Sequence, residues 1–442
     1  MSRPQLVLTM ILIGAIVLQA MLPRLRLLIV TTAAGLSCLL SALLGTAKTP
    51  QLLAEVPWDV LVILIGLGLL SEVMVTSRLF GLLAVWSAEK SRASPRRVLL
   101  YFAVGLYAVS GLVNNLTALL LVLPVLLILL KLMGVDQRQT SWTLGVLLVA
   151  CNLGGAATPI GDFPAILLLG RGSMSFSGYL VRAAPPTVLA LVLILLVVLL
   201  VIRPDRGVMH NQLSENLSVA VIKKLYRNVR LDLGVLLPAL FLLILMLVAW
   251  MFIPVSTGIT PEVICWVGVA AALLFRPSLA ERLLRTRVDF EAALFLLGLF
   301  LMVGAVRHTG LFADLASAIG KLPLAPWAQL VLFLILSGAT TGLFSAGPSM
   351  AALLEVAETL ARRFPPEVVY VGLALSVCAG SSLLLTAATS GPLLQTLTER
   401  AQLRDQHGVQ VHFGFFHFLP VGLLSFAVIQ AVAVLYVLLA AG

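Results

Sequence analysis

Small polar residues and one carboxylate interrupt two long apolar stretches in the first half of the chain. The stretches cover residues 98–132 and 140–170, and the second is broken by a glycine-rich run that ends at Asp162. Amide oxygens coordinate cations, amide nitrogens donate to anions, and glycines free backbone groups for close approach. These residue types therefore predict an ion-binding site. Its candidate ligands in this half are Asn114, Asn115, Thr117, Asn152, Gly154, Gly155, Thr158 and Asp162.

Structural roles compete with ion binding for the same residues. Asn114 and Asn115 could instead form hydrogen bonds that hold neighbouring helices together. Asp162 could cap the helix predicted to begin near Phe163, or it could carry a proton or a coupling ion. The two roles of Asp162 are compatible, because a cap lies at the helix end where an ion would bind.

The second half has matching interruptions that are rich in hydroxyl groups. They lie in the stretches 326–361 and 366–398. Hydroxyls suit ions of either sign, so they predict a binding region without indicating its charge. Glu355 is a second possible proton carrier, and an interfacial position is the alternative. The candidate ligands in this half are Ser345, Ser349, Ser381, Ser382 and Thr386.

The composition indicates a membrane protein. The 442 residues are 60% hydrophobic and 11% charged, and their mean hydropathy is +1.10. Only a bilayer can accept so much apolar surface. The net charge of +10 comes from basic residues in short loops, which is typical of cytoplasmic loops and argues against nucleic-acid binding. The cysteines lie within apolar runs and predict neither disulfides nor a metal site.

The interruptions recur at a near-constant spacing of about 231 residues, which indicates an internal repeat. The expected fold is an all-α polytopic membrane protein with about ten transmembrane helices, two re-entrant hairpins and two broken helices. The predicted first repeat is 1–202, with hairpin 98–132 and broken helix 140–170. A cytoplasmic linker, 203–232, precedes the second repeat. That repeat, 233–442, has inverted topology and contains hairpin 326–361 and broken helix 366–398.

Uninterrupted apolar runs of spanning length predict the remaining helices. We expect the protein in the inner (plasma) membrane of the cell. The predicted spans are 5–22, 27–45, 58–76, 180–202, 233–254, 261–276, 289–306 and 413–440.

Two sequence motifs resemble the ion transporter superfamily. They are Ser110-Gly111-Leu112-Val113-Asn114-Asn115-Leu116-Thr117 and Asn152-Leu153-Gly154-Gly155-Ala156-Ala157-Thr158-Pro159-Ile160-Gly161-Asp162. The superfamily includes NhaD-type sodium/proton antiporters, ArsB arsenite permeases, the magnetosome protein MamN and citrate transporters. The resemblance implies alternating access by an elevator-like motion and a homodimer. It also implies ion contacts at Asn114, Asn115, Asn152, Thr158 and Asp162.

The leading functional hypothesis is a secondary active transporter that exchanges a cation for protons, because Asp162 is the clearest buried charge. Sodium or protons would be the coupling ion, and no other cofactor is expected. An anion permease or symporter for arsenite, citrate or another carboxylate is the alternative. A membrane-embedded enzyme is a remote third possibility, because the sequence places no His/Glu/Asp metal cluster and no Ser/His pair at membrane depth. A channel is a fourth possibility, but hairpins that enter from opposite sides of the membrane argue against an open pore.

Overall fold

The structure is a computed structural model. It describes residues 2–22, 25–92, 94–170, 174–203, 220–221, 224, 230–253, 257–288, 290–344 and 346–441. All the named secondary-structure elements of these residues are helices. The predicted linker 203–232 lies mostly outside the described residues.

The described residues of the first half form ten α-helices. They are α1 (Arg3–Met21), α2 (Arg26–Leu43), α3 (Thr49–Ala54), α4 (Trp58–Thr76), α5 (Leu79–Ser91), α6 (Pro95–Ser110), α7 (Asn115–Met133), α8 (Gln137–Ala157), α9 (Phe163–Gly170) and α10 (Phe176–Leu196), the last continued by a π-helical turn (Val197–Ile202).

In the second half, the part of the chain that the structure describes also forms ten α-helices. They are α11 (Leu233–Phe252), α12 (Pro261–Leu274), α13 (Pro277–Thr286), α14 (Phe290–Arg307), α15 (Leu311–Gly320), α16 (Pro326–Phe344), α17 (Ala346–Leu360), α18 (Pro366–Ser381), α19 (Gly391–Ala401) and α20 (Phe415–Ala441).

The described residues include nine helices that are long and apolar enough to cross a membrane, and four shorter apolar ones. This confirms the all-α polytopic prediction. The helices α3, α5, α13 and α15 were not predicted, since each has at most 13 residues and falls between longer apolar runs. The helices α7 and α16 have 19 residues each, longer than the hairpin arms of about 15 residues expected from the sequence. Their length alone therefore does not distinguish a re-entrant arm from a span.

The helices pack in two groups. The flanking group consists of α1, α2, α4, α11, α12 and α14, and the site-bearing group consists of α6 to α10 and α16 to α20. In the flanking group, α4 packs on α12 and α14 packs on α2. Glycine permits both approaches: a Cβ at Gly66 would lie 2.7 Å from the Cys265 sulfur, and one at Gly298 would lie 2.9 Å from Val30. In the site-bearing group, 94% of the residues in the most apolar part of α8 are buried. Helix α8 therefore lies at the centre of this group.

The interruption in the first half is shorter than the sequence predicts. Helix α8 continues through the glycines to Ala157, so only residues 158–162 separate it from α9. In the second half, α18 continues to Ser381, and one break over 382–390 separates it from α19. Glycine costs a helix about 1 kcal/mol relative to alanine, and the free energy gained by burying α8 offsets a cost of this size. The first break begins where the backbone leaves the helical region, at Thr158 with ψ of 152°.

Candidate ion-binding site

A small cavity lies where the two halves of the chain meet. Its volume is about 10 Å³, which is about the room that one water molecule needs. The first half contributes Asp162 and the start of α9, and the second half contributes Ala346 and Ser381. The break of the first half, the start of α17 and the last turn of α18 therefore meet at one place. The complete lining is Ala156, Asp162, Pro164, Ala165, Tyr179, Ala346, Ala374, Val377, Cys378 and Ser381.

Asp162 is held at the start of α9. One carboxylate oxygen accepts a hydrogen bond of 2.8 Å from the Phe163 backbone nitrogen. The Asp162 carbonyl begins the helix by accepting from the backbone nitrogens of Ala165 and Ile166. The predicted capping role of Asp162 thus coexists with its position in the cavity wall.

The turn between α6 and α7 is tied to this break. Asn115 is buried at the first turn of α7, and its side-chain oxygen accepts a hydrogen bond from Ser110. Thr158 donates a 2.6 Å hydrogen bond to the Gly111 carbonyl oxygen. These contacts fix the turn against the end of α8, which contributes Ala156 to the cavity lining.

The two predicted glycines provide close packing. A Cβ at Gly154 would lie 2.2 Å from the Tyr107 carbonyl oxygen, and one at Gly155 would lie 2.4 Å from the Asn115 side-chain oxygen. Both distances are far inside van der Waals contact. Glycine at these positions therefore allows α6 and the Asn115 amide to approach α8, while α8 itself remains helical.

Asn152 connects the two halves. Its side-chain nitrogen donates to the Ser381 carbonyl oxygen at 3.3 Å and to the Ser382 hydroxyl at 3.1 Å. All three residues are buried. This side chain therefore holds the end of α18 beside α8, a role that sequence reasoning did not anticipate. Its predicted ion contact stays a prediction.

The second-half candidates are dispersed. Ser381 lines the cavity, and its hydroxyl donates to the Cys378 carbonyl oxygen at 3.0 Å. Ser349 is buried, and its hydroxyl has no hydrogen-bond partner among the described residues. Thr386 is exposed. Ser345 lies outside the described residues.

Three further candidates lie away from the cavity lining. Asn114 is exposed and caps α7, because its side chain accepts a 2.8 Å hydrogen bond from Leu116. Thr117 is partly buried in the first turn of α7. Glu355 is buried on α17 and forms a 3.2 Å ion pair with Arg307 of α14. That pair joins the site-bearing group to the flanking group.

Sequence reasoning missed three residues around the cavity. Tyr179 is buried on α10, and its hydroxyl donates at 2.9 Å to the Ala156 carbonyl oxygen in the last turn of α8. Cys378 of α18 lines the cavity, and Ser110 supports Asn115. Only Ser110 had a sequence signal, because it begins the first motif. Tyr179 and Cys378 occur in apolar runs that resemble ordinary helix interiors.

The cavity lining has one acidic and no basic residue. Among the described residues that line the cavity, Asp162 is the only aspartate, glutamate, lysine, arginine or histidine. A carboxylate at membrane depth costs about 3 kcal/mol or more unless it is compensated. The hydrogen bond from the Phe163 backbone nitrogen supplies part of that compensation, and a bound cation or proton would complete it.

Known proteins resemble the chain over most of its length. A sequence model of the CitMHS family, described as citrate transporter, matches residues 7–380. An uncharacterized transporter of Mycobacterium tuberculosis is 28% identical over 355 residues, covering 79% of this chain and 80% of that one. The magnetosome protein MamN of Magnetospirillum gryphiswaldense is 26% identical over 377 residues, covering 83% and 82%.

The fold also has a counterpart among solved structures. The crystal structure of the YdaH transporter of Alcanivorax borkumensis, reported with an unusual topology, matches with a TM-score of 0.58 and 17% identity, over 99% of this chain and 98% of that chain. The fold and the sequence relatives together define a multi-pass membrane transporter. The chain belongs to the CitMHS citrate transporter family of the ion transporter superfamily, which confirms the predicted superfamily.

Proposed function

We propose that the protein is a secondary active transporter that exchanges a cation for protons, with Asp162 holding the coupling ion. The observation that carries this proposal is the position of Asp162 in the wall of a cavity between the two halves. A partly buried carboxylate without a basic partner in the cavity lining binds a cation or a proton more readily than an anion. The cavity, at about 10 Å³, also fits a single ion.

Repetition in the fold supports inverted repeats. Helices α4, α5, α6, α7, α8 and α9 begin 228–232 residues before α14, α15, α16, α17, α18 and α19. Packing repeats as well: a Cβ at Gly154 would lie 2.2 Å from the Tyr107 carbonyl oxygen, and one at Gly380 would lie 2.2 Å from the Gly338 carbonyl oxygen. Two repeats of opposite topology would place one hairpin tip on each side of the shared cavity.

The division into two helix groups supports an elevator-type motion. The cavity lining comes entirely from the site-bearing group, including α9, α17 and α18. In an elevator, such a group moves past a fixed partner and carries the ion with it. We propose that the flanking group is that partner, in a homodimer within the inner membrane. The protein acts as a transporter and not as an enzyme.

Transport of citrate or another carboxylate, together with the cation, is the second candidate. The family description favours it. The starts of α9 and α17, represented by Pro164 and Ala346, also line the cavity, and helix N-termini favour anions. A citrate ion needs more room than this cavity offers, so its site would have to open in another conformation.

Reconstituted protein with a pH-sensitive dye inside the vesicles distinguishes these functions. We expect sodium or lithium added outside to change the internal pH, and we expect Asp162→Asn to abolish that change. Glu281→Gln is the matched control, since its carboxylate forms an exposed pair with Arg285 on α13, and it should transport normally.

The two candidates give different outcomes. Sodium-dependent citrate uptake without cation-driven proton movement, lost in Asp162→Asn, would select the second candidate. Cation-driven proton movement that is unchanged in Asp162→Asn would refute the assignment of Asp162 under the first candidate, and sodium-dependent citrate uptake that is unchanged in this variant would refute it under the second.

A further inference from the structure

The short helix α13 has one apolar side and one basic side. It packs on α4 and α12 in the flanking group. Ala280 and Leu283 form its buried side, whereas Arg282 and Arg285 are exposed. Because residues three positions apart share one side of a helix, the two arginines lie next to each other and point away from the protein.

Exposed apolar side chains border α13 in the chain. Leu274 and Phe275, at the end of α12, are 76% and 61% exposed, and Phe290, at the start of α14, is 64% exposed. On α13 itself, Leu284 is also exposed. Exposed apolar side chains on the helices of a membrane protein contact lipid. Because they flank α13 so closely, this helix lies along the membrane surface at the depth of the lipid headgroups.

The corresponding helix of the first half, α3, lies at the opposite end of the flanking group. It begins at Thr49, 228 residues before α13. Glu55, just after α3, contacts His308, just after the end of α14, at 3.0 Å. Arg287, by contrast, precedes the start of α14 and lies 3.8 Å from the Glu72 carboxylate. The two short helices are therefore separated by the length of α14, whose 18 residues span about 27 Å.

The two short helices carry different charges although they occupy equivalent places. At the spacing of 228 residues, the buried Leu52 corresponds to the buried Ala280, but the exposed Ala54 corresponds to Arg282. Packing in the flanking group therefore does not account for the basic side of α13. The connection between α2 and α4 contains Lys48 and Glu55, and the connection between α12 and α14 contains Arg276, Glu281, Arg282, Arg285, Arg287 and Asp289.

Arg282 is the arginine of this connection that lacks a carboxylate partner. Among the residues that the structure describes, it forms no ion pair. The other three arginines each have a carboxylate within 4 Å. These pairs are Arg276 with Asp232, Arg285 with Glu281, and Arg287 with Glu72.

We propose that α13 is a docking site for an anionic phospholipid, with Arg282 binding the headgroup phosphate. A guanidinium group presents paired N–H donors that match the oxygens of a phosphate. The exposed Leu284 and Phe275 provide contacts for the acyl chains. A net negative headgroup is preferred to a zwitterionic one, because the connection that contains α13 has a net positive charge and each basic residue near an anionic surface adds attraction. This site is separate from the ion cavity.

Titration of the purified full-length protein with phosphatidylglycerol in detergent, followed by native mass spectrometry, tests this site. We expect Arg282→Gln to raise the half-saturating lipid concentration about fivefold, as expected for one basic residue at an anionic surface. Arg282→Lys keeps the charge and should stay within about twofold of the wild type. Phosphatidylcholine with the same acyl chains should bind the wild type at least about fivefold more weakly. Without added lipid, both variants should unfold at the wild-type temperature, because Arg282 is exposed and unpaired.

The matched control is Lys48→Gln, beside α3. It removes one positive charge from an exposed position at the other end of the flanking group and should leave the half-saturating concentration unchanged. Equal weakening by Lys48→Gln and Arg282→Gln would overturn the proposal, because the effect would then follow net charge and not a site. Wild-type affinity in Arg282→Gln, or equal binding of the two lipids, would also overturn it. No step of this test measures transport, so its result leaves the proposed function unaffected.

Discussion

The replacement Gly154→Ala tests whether the glycines of the second motif serve close packing at the site. The new Cβ would lie 2.2 Å from the Tyr107 carbonyl oxygen, where ordinary contact begins near 3.4 Å. The obstacle is backbone, so it cannot rotate away, and α6 must move from α8 by about 1 Å. Overpacking of this kind costs about 1–3 kcal/mol, and the better helix propensity of alanine returns about 1 kcal/mol.

The net expectation is a loss of stability of up to about 2 kcal/mol, together with impaired transport. Thermal unfolding of the purified protein in detergent measures the first effect, and the vesicle assay measures the second. Gly68→Ala on α4 is the control, because its Cβ would meet nothing within 4 Å, and it should be as stable as the wild type or more stable. Equal stability and transport of the two variants would refute the close-packing role of Gly154.

Two further predictions concern contacts between parts of the fold. Asn152→Ala removes two buried hydrogen bonds to the second half and should lower the free energy of unfolding by about 1–3 kcal/mol; unchanged thermal unfolding would contradict its connecting role. Glu355→Gln removes the charge paired with Arg307 and should change the transport rate. The double variant with Arg307→Gln should then show strong non-additivity in a mutant cycle, whereas additive effects would show that the pair does not couple the two helix groups.

Much of the architecture could be predicted from the sequence, because the bilayer constrains it so strongly. Spanning runs must be helical to satisfy their backbone groups in lipid, so α4, α11 and α14 begin close to where their apolar runs begin. The placement of Asp162 at a helix start was also predictable, since a carboxylate after a glycine-rich break is a typical cap. Helix boundaries inside the breaks were less predictable, because packing decided that α8 continues past Gly154.

The partners of each polar group could not be obtained from the sequence. The bond from Asn152 to Ser382 joins residues 230 positions apart, and the Tyr179 contact depends on how α10 lies along α8. Hydropathy patterns report which residues face apolar surroundings, but they do not report which helix is adjacent. The same limit applies to Glu355: the sequence predicts a proton carrier or an interfacial residue, and its ion pair with Arg307 is visible only in the structure.

The sequence by itself determined the membrane environment, the position of the breaks and the polar residues within them. These features depend on local composition, because each span must match the thickness of the bilayer and each break must hold residues that tolerate leaving a helix. Only the tertiary structure decided that the first break, with Asp162, meets the start of α17 and the end of α18 at one cavity. That convergence depends on helix packing between distant segments, which the order of residues along a single helix does not encode.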